Sequence, residues 1–200
     1  MAVNFLEELR MNLDYLIVGR FLGVYELGLY YFAFNAGSGI TSNIMSTLIT
    51  PLFPHLCAVR KSYTQFKERY FSSVKIISII LVPIVILQSA AAPFYVPIIF
   101  GEKWTSAVPI LILICLSVIP DAFKISSSVV LDAIDKPHIV FYFDFIYTLV
   151  FAASLIITVK MGVLWVAGAV LVNKLIVSAS FNVWTERYVF KKKQKLFPEN

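Results

Sequence analysis

Lysine and arginine collect at every second junction between six apolar stretches, and this alternation restricts the chain to helices threaded repeatedly through a bilayer. Helices suit all six stretches. Composition agrees: 59% of residues are hydrophobic and 14% charged, and the mean hydropathy is +0.81. A soluble domain carries about 25% charged residues. A water-exposed globular core is excluded, and an all-α polytopic membrane protein is expected.

The first span, Phe5 to Leu22, is interrupted by Glu7, Glu8, Arg10 and Asp14. The second runs from Leu27 to Val59, longer than the roughly 20 residues a bilayer needs, so a tilt or kink is expected around Gly37, Gly39, Pro51 and Pro54. The third, Phe71 to Ala92, holds Pro83, whose missing N–H should bend it. The apolar segment Pro93 to Trp104 then reads as lying in the outer interface. Ala107 to Ile134, Ile139 to Val159 and Val163 to Tyr188 complete the set. Residues 1–190 thus read as one six-helix unit and 191–200 as a basic cytoplasmic tail.

Short loops rich in Lys and Arg stay cytoplasmic. One side carries Arg60, Lys61, Lys67, Arg69, Lys136, Arg187, Lys191, Lys192, Lys193 and Lys195; the other has Arg20, Lys103 and Lys160. Both termini of this multi-pass membrane protein are therefore expected in the cytoplasm. Trp104 and Trp165 fall at the outer edges, and Tyr63, Tyr70, Trp184 and Tyr188 at the inner ones, where amphipathic rings sit at headgroup level. The net charge of +5 comes mostly from the tail. In this setting it reads as a retention signal resting on anionic membrane lipid, and no nucleic-acid partner is expected.

Catalytic inventory is sparse. His55 and His138 are single residues without acidic or cysteine neighbours at ligand spacing, so no metal site is expected. Cys57 and Cys115 lie in different apolar spans and read as small hydrophobes rather than a disulfide. No phosphate loop or nucleophile elbow occurs, so neither an enzyme nor a cofactor is expected. Charge inside the membrane stands out instead. Asp14, Asp121, Lys124 and Lys174 fall near mid-span, where a charge costs roughly 2.5–3.5 kcal/mol on insertion scales. Each should face an opposite charge or a hydrated cavity. Asp121 and Lys124, three apart on one helix, form a possible ion pair. Asp14 and Lys174 either pair across helices, with Asp14 the first partner for Lys174 and Asp121 the second, or line a solvated path. Lys75 and Asp144 lie closer to the cytoplasmic edge, within reach of hydration.

A family resemblance rests on several segments in order. Asn12-Leu13-Asp14-Tyr15-Leu16-Ile17-Val18-Gly19-Arg20-Phe21-Leu22-Gly23 is followed by Leu27-Gly28-Leu29-Tyr30, then by Pro51-Leu52-Phe53-Pro54. Phe100-Gly101-Glu102-Lys103-Trp104, Ala107-Val108-Pro109, and Gly162-Val163 with Gly168-Ala169 complete it. Together these resemble the second lobe of Wzx-type oligosaccharide flippases, of the multidrug/oligosaccharidyl-lipid/polysaccharide exporter superfamily. The resemblance implies a bacterial inner-membrane carrier that turns polyprenyl-diphosphate-linked oligosaccharide to the outer leaflet for lipopolysaccharide, O-antigen or exopolysaccharide synthesis. It also implies two six-helix lobes rocking about a central cavity. One lobe is present, so the missing first lobe or a homo-oligomeric second copy is the expected partner. Asp14 and Arg20 match the motif at the lobe entrance. With Lys124 and Lys174, placed by depth, they make up the expected substrate pathway. A structural membrane subunit, or an inactive remnant of a polysaccharide assembly complex, is the alternative; it predicts that the central charges pair internally and leave no cavity.

Overall fold

The computed structural model describes the backbone of residues 2–191 and the side chains of residues 8–10, 12–39 and 41–191. The basic tail from Lys192 onward lies outside the described residues. Eight α-helices follow in order: α1 (Ala2–Leu22), α2 (Val24–Ile49), α3 (Leu52–Cys57), α4 (Tyr63–Phe100), α5 (Val108–Leu116), α6 (Val118–Ala133), α7 (Pro137–Thr158) and α8 (Val163–Glu186). Among the described residues there is no strand. Four of the described segments are long and apolar enough to cross a membrane: Tyr63–Phe100, Glu102–Ala133, Pro137–Met161 and Val163–Lys191. The chain is an all-α polytopic membrane protein. α1 and α2 carry more polar side chains and pack as a hairpin against these four.

Turn chemistry places the breaks. Gly23 alone links α1 to α2 at a φ of 90°, a backbone conformation that a side chain disfavours. Three boundaries differ from the sequence expectation. The second span ends at Ile49, and Leu52–Cys57 forms the short α3, which packs on α4 and α6. Pro51 and Pro54 lack the N–H groups that would bind the carbonyls of Thr47 and Thr50, so a continuous helix loses two bonds within one turn. The third span is longer than expected: α4 has 38 residues, roughly 57 Å at 1.5 Å per residue. It continues through Pro83, Pro93 and Pro97. Pro93 to Phe100 is therefore part of α4 and not a separate interfacial segment, and a 3₁₀ turn, Glu102–Ala107, leads into α5. The fourth span is broken at Ser117, three residues before Pro120, whose ring would clash with the carbonyl of Leu116.

Packing turns the usual polarity of a soluble protein inside out. α4, α7 and α8 expose Ile79, Leu87, Ile98, Ile146, Leu149, Ile157, Leu175 and Ile176 over their outer faces. Such apolar surface suits lipid. Between helices the packing is dense. α2 meets α5 at Gly37, where an added Cβ would stand 3.0 Å from the Leu111 carbonyl oxygen. Gln88 of α4 also reaches the carbonyls of Ala36 and Gly37 there, at 2.9 and 2.8 Å. A small residue thus permits close backbone approach, as is common between membrane helices.

Candidate functional site

Among the described residues, six ionisable side chains from four helices converge inside the bundle. Arg10 and Asp14 come from α1, Asp121 and Lys124 from α6, Asp144 from α7 and Lys174 from α8. Three are cations and three are carboxylates. Lys124 Nζ lies 2.6 Å from Asp144 Oδ1, with the two side chains 3% and 0% exposed. Arg10 Nη1 reaches the same oxygen at 3.5 Å and packs 4.5 Å from the ring centre of Tyr147. Asp144 therefore receives two cations on one oxygen. Its other oxygen, Oδ2, is buried with no hydrogen-bond partner among the described residues.

The second pair holds the kink between α5 and α6. Lys174 Nζ donates to Asp121 Oδ2 at 2.8 Å. One turn later, Ser178 Oγ donates to the carbonyl of Pro120 at 2.5 Å. Another turn on, Asn182 Oδ1 accepts from Ser127 Oγ. Lys174, Ser178 and Asn182 are spaced i, i+4 and i+8, so they form one stripe of α8 facing α6. Across the bundle, Asp14 Oδ2 accepts from the Tyr30 hydroxyl at 2.7 Å, tying α1 to α2. Tyr15 packs against Tyr30 and Phe34 beside that bond.

These assignments revise the sequence reading in three places. Lys174 meets Asp121 and not Asp14. Lys124 reaches across to Asp144 on α7, not only along its own helix toward Asp121. Asp144 is fully buried, not hydrated at an edge. Arg20 stands apart, exposed near the end of α1 that leads into Gly23. Arg10, which the sequence presented only as an interruption, is part of the cluster; its signal was the spacing of four to Asp14 on one helix face.

A cavity of about 150 Å³ opens among Arg10, Asp14, Asp121, Lys124 and Lys174, walled by Phe34, Phe151 and Val170. Ligand pockets run to roughly 300–1,000 Å³. This one is too small for a sugar chain, and its ion pairs balance. Among the described residues no three of His, Cys, Asp and Glu converge as a metal-binding group.

A different surface carries unsatisfied polarity. α2 exposes Tyr31, Asn35, Asn43, Ser46 and Thr47 along its length, with Thr50 just past its end, and α1 exposes Glu8, Asn12 and Arg20. Ser46, Thr47 and Thr50 fold their hydroxyls back onto carbonyls of the preceding turn. Such back-bonding lets a hydroxyl tolerate lipid. An amide has more to satisfy. Asn35 donates one proton to the Tyr31 carbonyl at 2.8 Å, which leaves a second proton and an oxygen for an outside partner.

The family model described as "Polysaccharide biosynthesis protein" matches residues 1–109. The teichuronic acid biosynthesis protein TuaB of Bacillus subtilis is 25% identical over 191 residues, covering 96% of this chain and 40% of its own length. The lipopolysaccharide biosynthesis protein WzxC of Escherichia coli is 26% identical over 114 residues, 57% of this chain and 23% of its own. An uncharacterised membrane protein in the cps region of Klebsiella pneumoniae is 32% identical over 101 residues, half of this chain and 21% of its own. The chain thus spans two fifths or less of the curated relatives it matches. No solved structure matches. More than half of the chain lies within the family match, so it belongs to the polysaccharide biosynthesis protein family.

Proposed function

We propose that this chain is one lobe of a carrier that turns lipid-linked oligosaccharide across the bacterial inner membrane for cell-surface polysaccharide synthesis. Its α1 and α2 form one wall of the path, and a second lobe or second copy forms the other. The observation that carries this reading is the contrast between faces: exposed Asn35 and Asn43 on α2 against exposed Ile79, Ile146 and Ile176 on α4, α7 and α8. Amides at membrane depth need water or a protein partner, and isoleucines do not. The family relatives, two of them named for the biosynthesis of cell-envelope polymers, supply the substrate class. The cation distribution supports six passes with both termini cytoplasmic.

In this reading Arg20 remains a substrate-path residue, since its side chain is exposed. Asp14, Lys124 and Lys174 instead hold the lobe as a rigid body, because their partners lie on neighbouring helices. That internal pairing also favours a second reading, a structural membrane subunit of a polysaccharide assembly complex. The two part on transport. In cells that depend on this protein for surface polysaccharide, Asn35→Trp with Asn43→Trp should block appearance of lipid-linked oligosaccharide in the outer leaflet at normal membrane abundance. Ile146→Trp on a lipid face should leave it intact. Unchanged translocation in the double variant favours the structural subunit.

A further inference from the structure

A second, basic groove lies at the end of the bundle where α4 begins and α8 ends, beyond Lys174 along α8. It has a volume of about 320 Å³ and is lined by Lys67, Phe71, Val183, Glu186, Arg187, Phe190 and Lys191. After α8 the chain widens into a π-helical turn, Arg187–Lys191, an unusual backbone form that recurs at functional sites. The turn is pinned in place. Tyr63 at the start of α4 donates its hydroxyl to the Phe190 carbonyl at 2.9 Å, and the Phe190 ring packs 5.6 and 5.4 Å from Tyr70 and Phe71. Val189 is fully buried beneath. The turn therefore presents Arg187 and Lys191 from a fixed backbone, facing Lys67 across the groove.

We propose that this groove binds the headgroup of an anionic phospholipid, with the first part of an acyl chain lying along Phe71 and Val183. Three cations meet one carboxylate, Glu186, so the rim favours an anion, and the exposed floor is aromatic and aliphatic. Phosphate above and hydrocarbon below is the amphipathic order of a lipid at the membrane boundary. Trp184 and Tyr188, stacked at 5.0 Å on the same helix end, mark that boundary. Basic pockets between membrane helices are a recurrent way of holding anionic headgroups. A soluble phosphate would gain nothing from the apolar floor. The proposal is independent of what the chain transports.

The test is native mass spectrometry of the purified chain in mild detergent with dioleoyl-phosphatidylglycerol, dioleoyl-phosphatidylcholine or glycerol phosphate as probe. The wild type should retain phosphatidylglycerol in preference to phosphatidylcholine and should not retain glycerol phosphate. Affinity for phosphatidylglycerol should fall about fivefold for each of Lys67→Gln and Arg187→Gln. Lys67→Arg with Arg187→Lys keeps both charges and should retain the lipid, which separates loss of the site from loss of the fold. Equal retention of the two phospholipids, or equal retention of glycerol phosphate, overturns the proposal. So does unchanged binding in Lys67→Gln with Arg187→Gln when Lys192→Gln, Lys193→Gln and Lys195→Gln together abolish it, since the tail would then be the binding site.

Discussion

Asp144→Ala should destabilise the protein by about 3–5 kcal/mol, the range for breaking a buried ion pair by removing one partner. Lys124 is 3% exposed and Arg10 is 13% exposed, and both converge on Asp144 Oδ1. Without the carboxylate, Lys124 stays charged and buried and loses its 2.6 Å ion pair. Arg10 fares better, because it keeps its place over the Tyr147 ring. Lys124→Met in the Asp144→Ala background should therefore recover much of the loss, since a buried pair replaced by apolar groups is often close to neutral. Thermal unfolding in detergent for both singles and the double measures the coupling. A loss under 1 kcal/mol in Asp144→Ala, or no recovery in the double variant, would show that the cluster is not what holds α1, α6 and α7 together.

The second large effect separates the faces of the bundle. Ile146 is 61% exposed, ten residues into the 22-residue α7. Moving from Ile to Asp at the centre of a lipid-facing helix costs about 3–4 kcal/mol on insertion scales. Ile146→Asp should sharply lower the fraction of chain inserted in the membrane. Asn35→Asp sits at a comparable depth, twelve residues into the 26-residue α2, and should insert nearly as well as wild type. The readout is the inserted fraction in a glycosylation-tag assay. Equal loss at both positions would mean that α2 faces lipid and would remove the basis for a polar path.

The fold was legible in the sequence where periodicity was not needed. Continuous apolar runs and junction cations marked the long helices and their order. Boundaries at Pro51 and in Pro93 to Phe100 were misplaced for a physical reason: proline breaks a helix only where the freed carbonyls cannot be accommodated. Pro51 stands in the turn between α2 and α3, whereas Pro54 inside α3 and Pro83, Pro93 and Pro97 inside α4 leave their helices whole. The buried charges were legible as costly and in need of partners. Which partner each found was not, because Lys124 to Asp144 and Lys174 to Asp121 are contacts across helices, set by rotation about each helix axis. The exposed amides of α2 were missed altogether. Asn35 and Asn43 look ordinary in a sequence, and only the packing of α2 on α1, α4, α5 and α6 shows which of its sides is left open.

The central claim, that the open side of α2 meets water while the outer sides of α4 and α7 meet lipid, comes down to thiol chemistry. Replace Cys57 and Cys115 with Ala, introduce Cys singly at Asn35, Asn43, Ile79 or Ile146, and expose native membranes to a water-soluble methanethiosulfonate reagent. The account predicts ready modification at Asn35→Cys and Asn43→Cys and protection at Ile79→Cys and Ile146→Cys. Equal protection at all four positions would contradict it.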